Sequence, residues 1–281
     1  MPLLQIEDLH VSYQGRTGPV PAVRGISFAL ERERLGIVGE SGSGKSTIGR
    51  AILGLLPPSA SVTAAQMRLH DIDLLRADQR TLRRIRGKRI SMVLQDPKYS
   101  LNPVMTVGRQ IAESYRVHTR ASATEAKRKA LEMLEAVRID NPERVYDLYP
   151  HEVSGGMGQR VMIAMMLIPE PELLIADEPT SALDVTVQAQ LLVLINELIV
   201  RRGMGLILIS HNLDLVASFC DRVVVMYAGR VMETCKASEL DRARHPYTKG
   251  LLACRPLIDR ARPELPQLAR DPAWLDGPVA A

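Results

Sequence analysis

The stretch from Gly39 to Ser46 constrains this sequence more than any other, because it reads Gly-Glu-Ser-Gly-Ser-Gly-Lys-Ser. An apolar run, Leu35 to Val38, precedes it, and Ile48, Ile52 and Leu55 follow at helical spacing. Glycines permit backbone torsions and close approaches that a Cβ would block, so successive N–H groups can point at an anion beside a helix N-terminus. The pattern therefore predicts a phosphate-binding loop (P-loop) between a strand and a helix.

Individual side chains of this loop have separate expected roles. Lys45 is expected to bridge the β- and γ-phosphates of a nucleotide, and the Ser46 hydroxyl to bind Mg²⁺. A plain Gly/Ser turn is the alternative, and the strand and helix on either side argue against it. The expected nucleotide contacts in and beside the loop are Gly39, Ser41, Gly42, Ser43, Gly44, Lys45, Ser46 and Thr47.

A second candidate site follows the apolar run Leu173 to Ala176, which ends in Asp177 and Glu178. A buried strand accommodates acids only at its C-terminal tip, where α/β sheets place their ligands. Asp177 fits the role of orienting Mg²⁺, and Glu178 is then placed to act as general base on an attacking water. Two solvated acids at the end of a strand are the structural alternative.

The chain alternates apolar runs with helical patterns, which indicates an α/β fold with a mostly parallel sheet. Helical spacing also appears in Val187, Leu191, Leu194 and Leu198, before Gly203. The predicted strands are Leu35 to Val38, Ile90 to Leu94, Leu173 to Ala176, Leu206 to Ile209 and Val223 to Met226.

Other regions differ from this alternation. Residues 3–30 predict a small antiparallel sheet of short strands, and Thr124 to Arg138 predicts an amphipathic helix within a helical insertion. After His245 the prolines and the lack of periodicity predict an irregular tail. The expected divisions are a first part of the core at 1–95, a helical subdomain at 96–158, a second part of the core at 159–244 and the tail at 245–281.

The apolar runs, the N-terminal sequence and the charge limit where the protein is expected to be and what it is expected to bind. The longest apolar run, Val161 to Ile168, is far shorter than the roughly 20 residues that span a bilayer. The N-terminus lacks the features of a secretory signal, so a cytoplasmic location is expected. A formal charge of +4 with 4% aromatic residues gives little support for nucleic-acid binding.

Residues 153–160 indicate which class of P-loop protein the chain resembles. They read Val-Ser-Gly-Gly-Met-Gly-Gln-Arg and resemble the signature motif of ATP-binding cassette (ABC) ATPases. A turn with an N-cap would by itself also explain Ser-Gly-Gly. Further residues match in the order of that family: Tyr13 (adenine stacking), Gln95 (Q-loop, sensing Mg²⁺ and the attacking water), Ser181 to Asp184 (D-loop) and His211 (switch histidine at the γ-phosphate). The resemblance implies a P-loop ABC ATPase core with an antiparallel β subdomain and a helical insertion.

More specific matches point to one branch of the family. Residues 86–97, 100–108, 160–164 and 245–252 look like the oligopeptide, dipeptide and nickel import branch. Gly54 to Pro57 and the form of the first hundred residues resemble the dipeptide-permease D type, the first of two paired ATPase subunits. Gly158 departs from the branch, which commonly has arginine there.

The resemblance implies a mechanism and partners. ATP with Mg²⁺ would lie between Tyr13, Lys45 and Ser46 of this chain and the Ser154, Gly155 and Gly156 segment of a second ABC ATPase, so that each subunit completes the other's site. A heterodimer is favoured over a homodimer. Two transmembrane permease subunits, a periplasmic or extracellular solute-binding protein and a peripheral position on the cytoplasmic face of the cell membrane follow from the same likeness, and no nucleic acid is expected.

Two other functions stay open at this point. One is an exporter ATPase. The other is a nucleic-acid-linked ABC ATPase, whose support is a run of basic residues that a solvated helix face also explains: Arg76, Arg80, Arg83, Arg84, Arg86, Lys88 and Arg89.

Overall fold

The computed structural model describes residues 2–94, 100–180, 185–255, 268 and 270–275. The chain divides into two compact units, one comprising residues 1–76 and 207–281 and the other residues 77–206. The two units are defined by which residues contact one another, whereas the divisions expected from the sequence are functional. The expected divisions at 95/96, 158/159 and 244/245 therefore stay predictions.

The first unit contains an antiparallel sheet built on two long strands, β1 (Leu4–Gly15) and β2 (Gly18–Leu30), which pair along their whole length. β1 also pairs with β4 (Ala60–Thr63) and β5 (Gln66–Leu69), and β5 with β6 (Ile72–Asp73). Leu4, Ile6, Leu9 and Val11 on β1 are all buried, although their spacing is not strictly alternate. Bulges after Ile6 shift the register of β1 against β2, so that the later apolar residues return to the buried face. The predicted antiparallel sheet is confirmed, with strands longer than expected.

A second set of strands in the first unit carries the P-loop. β3 (Arg34–Gly39) runs parallel to β10 (Arg222–Tyr227), which pairs antiparallel with β11 (Arg230–Lys236). On the other side of β3 lies β9 (Gly205–Ser210), which begins in the second unit and ends in the first. The helices here are α1 (Lys45–Ile52), α8 (Leu213–Phe219) and α9 (Pro246–Ala253), with 3₁₀ turns at Ala237–Arg242 and Pro272–Leu275.

Two sequence-based expectations are wrong in this unit. Leu55 does not continue the buried stripe of α1: its exposed fraction is 51%, because Gly54 at φ 60° ends the helix. The N–H groups of Gly54 and Leu55 donate to the carbonyls of Ala51 and Arg50, which is a Schellman motif. The chain after 245 is not irregular throughout, since Pro246–Ala253 forms α9.

The second unit places two parallel strands, β7 (Ile90–Val93) and β8 (Leu173–Asp177), beside a set of helices. Both strands are fully buried, as expected for apolar runs covered on two faces. The helices are α2 (Gln79–Ile85), α3 (Val107–His118), α4 (Ala123–Ala136), α5 (Pro142–Tyr146), α6 (Gly155–Leu167) and α7 (Val185–Arg202), with a 3₁₀ turn at Pro150–Glu152.

The predicted amphipathic helix is confirmed as α4. The Ser122 hydroxyl accepts a hydrogen bond from the Glu125 N–H at 3.2 Å and caps its N-terminus. Ala126, Ala130, Met133 and Leu134 form its buried face. In the described ranges, no helix combines the length and the apolarity needed to cross a bilayer.

Candidate functional site

The P-loop connects the end of β3 to the start of α1 and requires glycine at two positions. Gly39 has a φ of 154°, and a Cβ there would lie 2.1 Å from the Met226 carbonyl oxygen. Gly44 has a φ of 94° and would bring its Cβ within 2.2 Å of the Ala22 carbonyl oxygen. These close approaches fix the loop against β10 and β2, so the backbone is held before any ligand arrives.

Lys45 is buried, with 6% of its surface exposed, although it carries an ammonium group. Its Nζ donates to the carbonyl oxygens of Gly39 at 2.9 Å and Glu40 at 2.8 Å, and lies 3.4 Å from the Ser43 hydroxyl. A buried charge is tolerated only with such polar partners. The ammonium therefore lies within the loop at the N-terminus of α1, which is the arrangement that suits phosphate oxygens. Ser41 and Gly42 at the loop tip are exposed.

Tyr13, the expected adenine contact, lies beside this loop. It is on β1 and half-buried, and its hydroxyl is 3.5 Å from the Thr47 hydroxyl on α1. Ser46 precedes Thr47 in the first turn of the helix and is half-buried. The first unit thus brings together the expected base contact and the expected phosphate contacts.

His211 follows β9 directly and is exposed. Asn212 then caps α8, its side chain accepting from the Leu215 N–H at 3.1 Å, and the Asn212 N–H donates to the Ser210 hydroxyl at 3.0 Å. His211 therefore lies in a turn between β9 and α8 whose flanking residues, Ser210 and Asn212, are joined by a hydrogen bond.

The second unit holds the two acids at the C-terminal end of β8. Asp177 is buried, with 5% of its surface exposed, and Glu178 is half-buried with a left-handed φ of 48°. A bulky residue at positive φ is uncommon, and such strain clusters at functional sites. Asp177 is therefore buried rather than solvated, and Glu178 is half-buried in a strained backbone conformation.

Sequence reasoning missed the side chains that hold the segment after Glu178. Gln159 on α6 is 1% exposed and its Nε2 donates to the Pro179 carbonyl oxygen, while Gln188 on α7 donates to the Thr180 hydroxyl at 2.8 Å. A buried amide inside the apolar helix α6 was the available signal, because such a group needs a partner.

Ser154 is the N-cap of α6, and its hydroxyl accepts from the Met157 N–H at 3.3 Å. Ser154 and Gly155 are exposed, and a Cβ on Gly155 would meet nothing within 4 Å. A Cβ on Gly156 would approach Val187 at 3.3 Å. The segment therefore presents a hydroxyl and helix N-terminal amides at an open surface. The remaining predicted site residues, Gln95 and Ser181 to Asp184, lie outside the described residues.

Comparisons with known proteins show the family of this chain. The family model described as ABC transporter matches residues 23–181. A probable peptide ABC transporter ATP-binding protein of Sinorhizobium fredii is 49% identical over 271 residues, covering 94% of this chain and 81% of that protein. The dipeptide transport ATP-binding protein of Bacillus subtilis is 46% identical over 279 residues, covering 98% of this chain and 83% of that protein.

A solved structure is similar as well. It is a dimeric ATP-binding cassette in a post-hydrolysis state, bound to ADP and phosphate. The TM-score is 0.75 at 26% sequence identity, and the match covers 83% of this chain and 98% of the other.

Proposed function

The chain belongs to the ABC transporter family of ATP-binding proteins, and from this premise we propose that it hydrolyses ATP to power the import of peptides. The relatives are named for peptide and dipeptide transport, which supports peptides as the transported class. The observation that carries the ATPase function is the Lys45 ammonium, buried in a glycine loop at the start of α1. Binding and hydrolysis of ATP follow from family membership.

We assign the binding roles by residue. The P-loop amides and Lys45 bind the phosphates, Tyr13 stacks on the adenine, and Thr47 lies beside it. Mg²⁺ would be held by the oxygen ligands of Ser46, Asp177 and Gln95, a hard-donor set of the kind that it prefers, and it would neutralise charge on the β- and γ-phosphate oxygens.

The hydrolytic step is assigned to Glu178. Its carboxylate takes a proton from the water that attacks the γ-phosphorus, the bond from that phosphorus to the bridging oxygen breaks, and ADP leaves with the electron pair. The strained φ of Glu178, and the hydrogen bonds that hold Pro179 and Thr180, support a fixed position for this carboxylate. His211 and Gln95 are assigned to contact the γ-phosphate and the attacking water.

A second ATPase subunit completes the proposal. In the segment Ser154 to Gly156 the first two residues are exposed and Gly156 is half-buried, and the segment offers a hydroxyl and helix-end amides of the kind that binds an anion. We propose that it contacts ATP bound to a paired ABC ATPase, which the resemblance to the dipeptide-permease D type makes a different chain. ATP would then favour the closed pair, and hydrolysis would release it.

Peptide import also requires membrane partners. A peptide importer ATPase works with permease and substrate-binding components, and we propose two transmembrane permease subunits, an extracytoplasmic solute-binding protein and a peripheral position of this chain on the cytoplasmic face of the membrane. The names of the relatives concern transport of peptides, which disfavours the nucleic-acid-linked alternative.

The assignment of Glu178 is tested by comparing Glu178→Gln with Lys45→Ala in the complex purified with its partner subunits. Glu178→Gln should bind ATP as the wild type does and hydrolyse it about 10²-fold more slowly, because the general base is lost. Lys45→Ala should instead weaken ATP binding, which a nucleotide titration measures. Hydrolysis by Glu178→Gln at the wild-type rate would reject the assignment.

A further inference from the structure

Glu40, the second residue of the P-loop, is bonded on three sides. Its carbonyl oxygen accepts from Lys45 Nζ at 2.8 Å, its backbone N–H donates to the Tyr247 hydroxyl at 3.3 Å, and its carboxylate accepts from Arg270 Nη2 at 2.9 Å. Tyr247 and Arg270 both belong to the C-terminal part of the chain, far from the loop in sequence. That part therefore contacts the same residue that contacts the phosphate-binding lysine.

Tyr247 is held rigidly. Its side chain is fully buried in the first turn of α9, where its N–H donates to Nδ1 of the capping residue His245 at 3.1 Å. Its ring lies 4.8 Å from that of Tyr227 and 5.8 Å from that of Trp274, centroid to centroid. Burial raises the pKa of Tyr247 to about 12, so the hydroxyl stays neutral at physiological pH.

The same aromatic cluster anchors the segment that carries Arg270. Trp274 packs edge-on to Tyr227 at 5.9 Å and to His245 at 5.6 Å. Arg270 itself is largely exposed, with 63% of its side chain accessible, whereas the Glu40 carboxylate is 30% accessible. Because exposed ion pairs are weakened by solvent, Tyr247 is the stronger of the two contacts with Glu40.

These contacts reach Lys45 through one residue. The peptide group between Gly39 and Glu40 contains both the N–H that donates to Tyr247 and the Gly39 carbonyl that accepts from Lys45. The carbonyl of Glu40, in the next peptide group, also accepts from Lys45. Tyr247 therefore holds a peptide group that contacts the lysine directly. Removal of the Tyr247 hydroxyl leaves a partly buried N–H without this acceptor, and the loop then gains freedom to turn.

We propose that Tyr247 and Arg270 are positioning residues, which hold Glu40 and, through it, the P-loop and Lys45 in the conformation that binds nucleotide phosphates. The inference rests on the proposed function, because it takes the P-loop to be the ATP site. It adds a role for the C-terminal segment: α9 and residues 270–274 raise the affinity for ATP without touching it.

The test is titration of the purified full chain with a fluorescent ATP analogue, with its unfolding midpoint measured alongside. The KM and kcat for ATP are measured in the complex with the partner subunits. Tyr247→Phe removes the hydroxyl and keeps the ring. Its matched control is Tyr227→Phe, which removes a hydroxyl of the same cluster that makes no hydrogen bond with any described residue. Arg270→Gln is paired with Arg32→Gln, which removes an exposed charge before the start of β3, away from the loop.

Tyr247→Phe should weaken nucleotide binding about five-fold, as expected for one lost hydrogen bond, and raise KM by the same factor with kcat unchanged. Arg270→Gln should weaken binding about two-fold, and less at high salt. Neither control should change the affinity. Arg270→Gln decides the question if Tyr247→Phe does not fold.

Different failures are distinguishable. A wild-type chain that does not bind the analogue contradicts the proposed ATP site itself. A wild-type chain that binds it, with Tyr247→Phe and Arg270→Gln variants of unchanged affinity, overturns the positioning role. A lowered unfolding midpoint with unchanged affinity shows a purely structural contact and overturns it equally.

Discussion

At the scale of single residues, the contact between Arg34 and Asp221 fixes the strands that carry the loop. The Asp221 carboxylate accepts from the Arg34 backbone N–H at 2.8 Å, from Nε at 3.1 Å and from Nη2 at 2.6 Å. The Asp221 N–H donates in turn to the Arg34 carbonyl oxygen. Arg34 begins β3 and Asp221 precedes β10, so the pair supports the register of these two parallel strands, in which Gly39 lies opposite Met226.

This pair predicts a pH-dependent contribution to stability. Hydrogen bonds from Arg34 lower the pKa of Asp221 below its ordinary value of 3.8. A lowered pKa in the folded state means stabilisation that is present above the unfolded pKa and is lost as the pH falls through the folded pKa. Asp221→Asn should therefore lower the free energy of unfolding at neutral pH by up to about 1 kcal/mol, after allowance for solvent screening.

Denaturant titrations of Asp221→Asn and wild type at several pH values measure this difference. It should shrink as the pH falls below about 4. Asp71→Asn, which alters an exposed carboxylate, is the control and should show little effect at either pH. A destabilisation by Asp221→Asn that is the same at acid and neutral pH would contradict the role of the charge.

At the scale of elements, the N-terminus of α6 combines a structural and a proposed functional role in Ser154. The hydroxyl caps the helix, and the same hydroxyl is exposed where a nucleotide on a paired subunit is proposed to bind. The two roles are separable because aspartate caps a helix as well as serine does, while its charge repels phosphate.

Ser154→Ala should lower the free energy of unfolding by about 1 kcal/mol and reduce hydrolysis by the paired ATPases. Ser154→Asp should keep the stability and still reduce hydrolysis. Ser122→Ala removes the matching cap of α4, so it should cost similar stability and leave hydrolysis unchanged. Thermal unfolding and phosphate release measure both properties, and wild-type hydrolysis by Ser154→Asp would contradict the proposed contact.

The elements also show which parts of the fold could be predicted. The buried strands β3, β7, β8, β9 and β10 were found because strands covered on both faces form uninterrupted apolar runs. The end of α1 was misplaced because Gly54 stops the helix before Leu55. The helix α9 was missed because its sequence has no periodic apolar pattern. Its buried Tyr247 packs against Tyr227 and Trp274, which are distant in sequence.

The candidate site shows the same division. Lys45, Asp177 and Glu178 could be proposed from the sequence because the roles expected of them depend on local order, a strand followed by a loop or by acids. The bond between Tyr247 and Glu40 could not be predicted, since it joins residues that only the folded chain brings together. For Gln159 the sequence shows a polar residue inside an apolar helix, which indicates that it needs a hydrogen-bond partner. The sequence does not show that this partner is the Pro179 carbonyl oxygen.

At the scale of the whole molecule, the chain is proposed to hydrolyse ATP, while its permease partners form the path through which the peptide moves. A peptide importer ATPase works with permease and substrate-binding components, and the ATP contacts proposed for Ser154 to Gly156 need a second ATPase. Import is therefore a property of the complex, and the account depends on coupling between hydrolysis here and movement of peptide elsewhere.

The most direct test of that coupling is uptake of a labelled dipeptide by vesicles that contain the complete complex, with the solute-binding protein on the side opposite to the ATPases. The account predicts that uptake and phosphate release both require ATP, that peptide-loaded binding protein stimulates phosphate release, and that Glu178→Gln lowers uptake and hydrolysis together by about 10²-fold. Phosphate release without peptide accumulation, or uptake at the wild-type rate with Glu178→Gln, would contradict it.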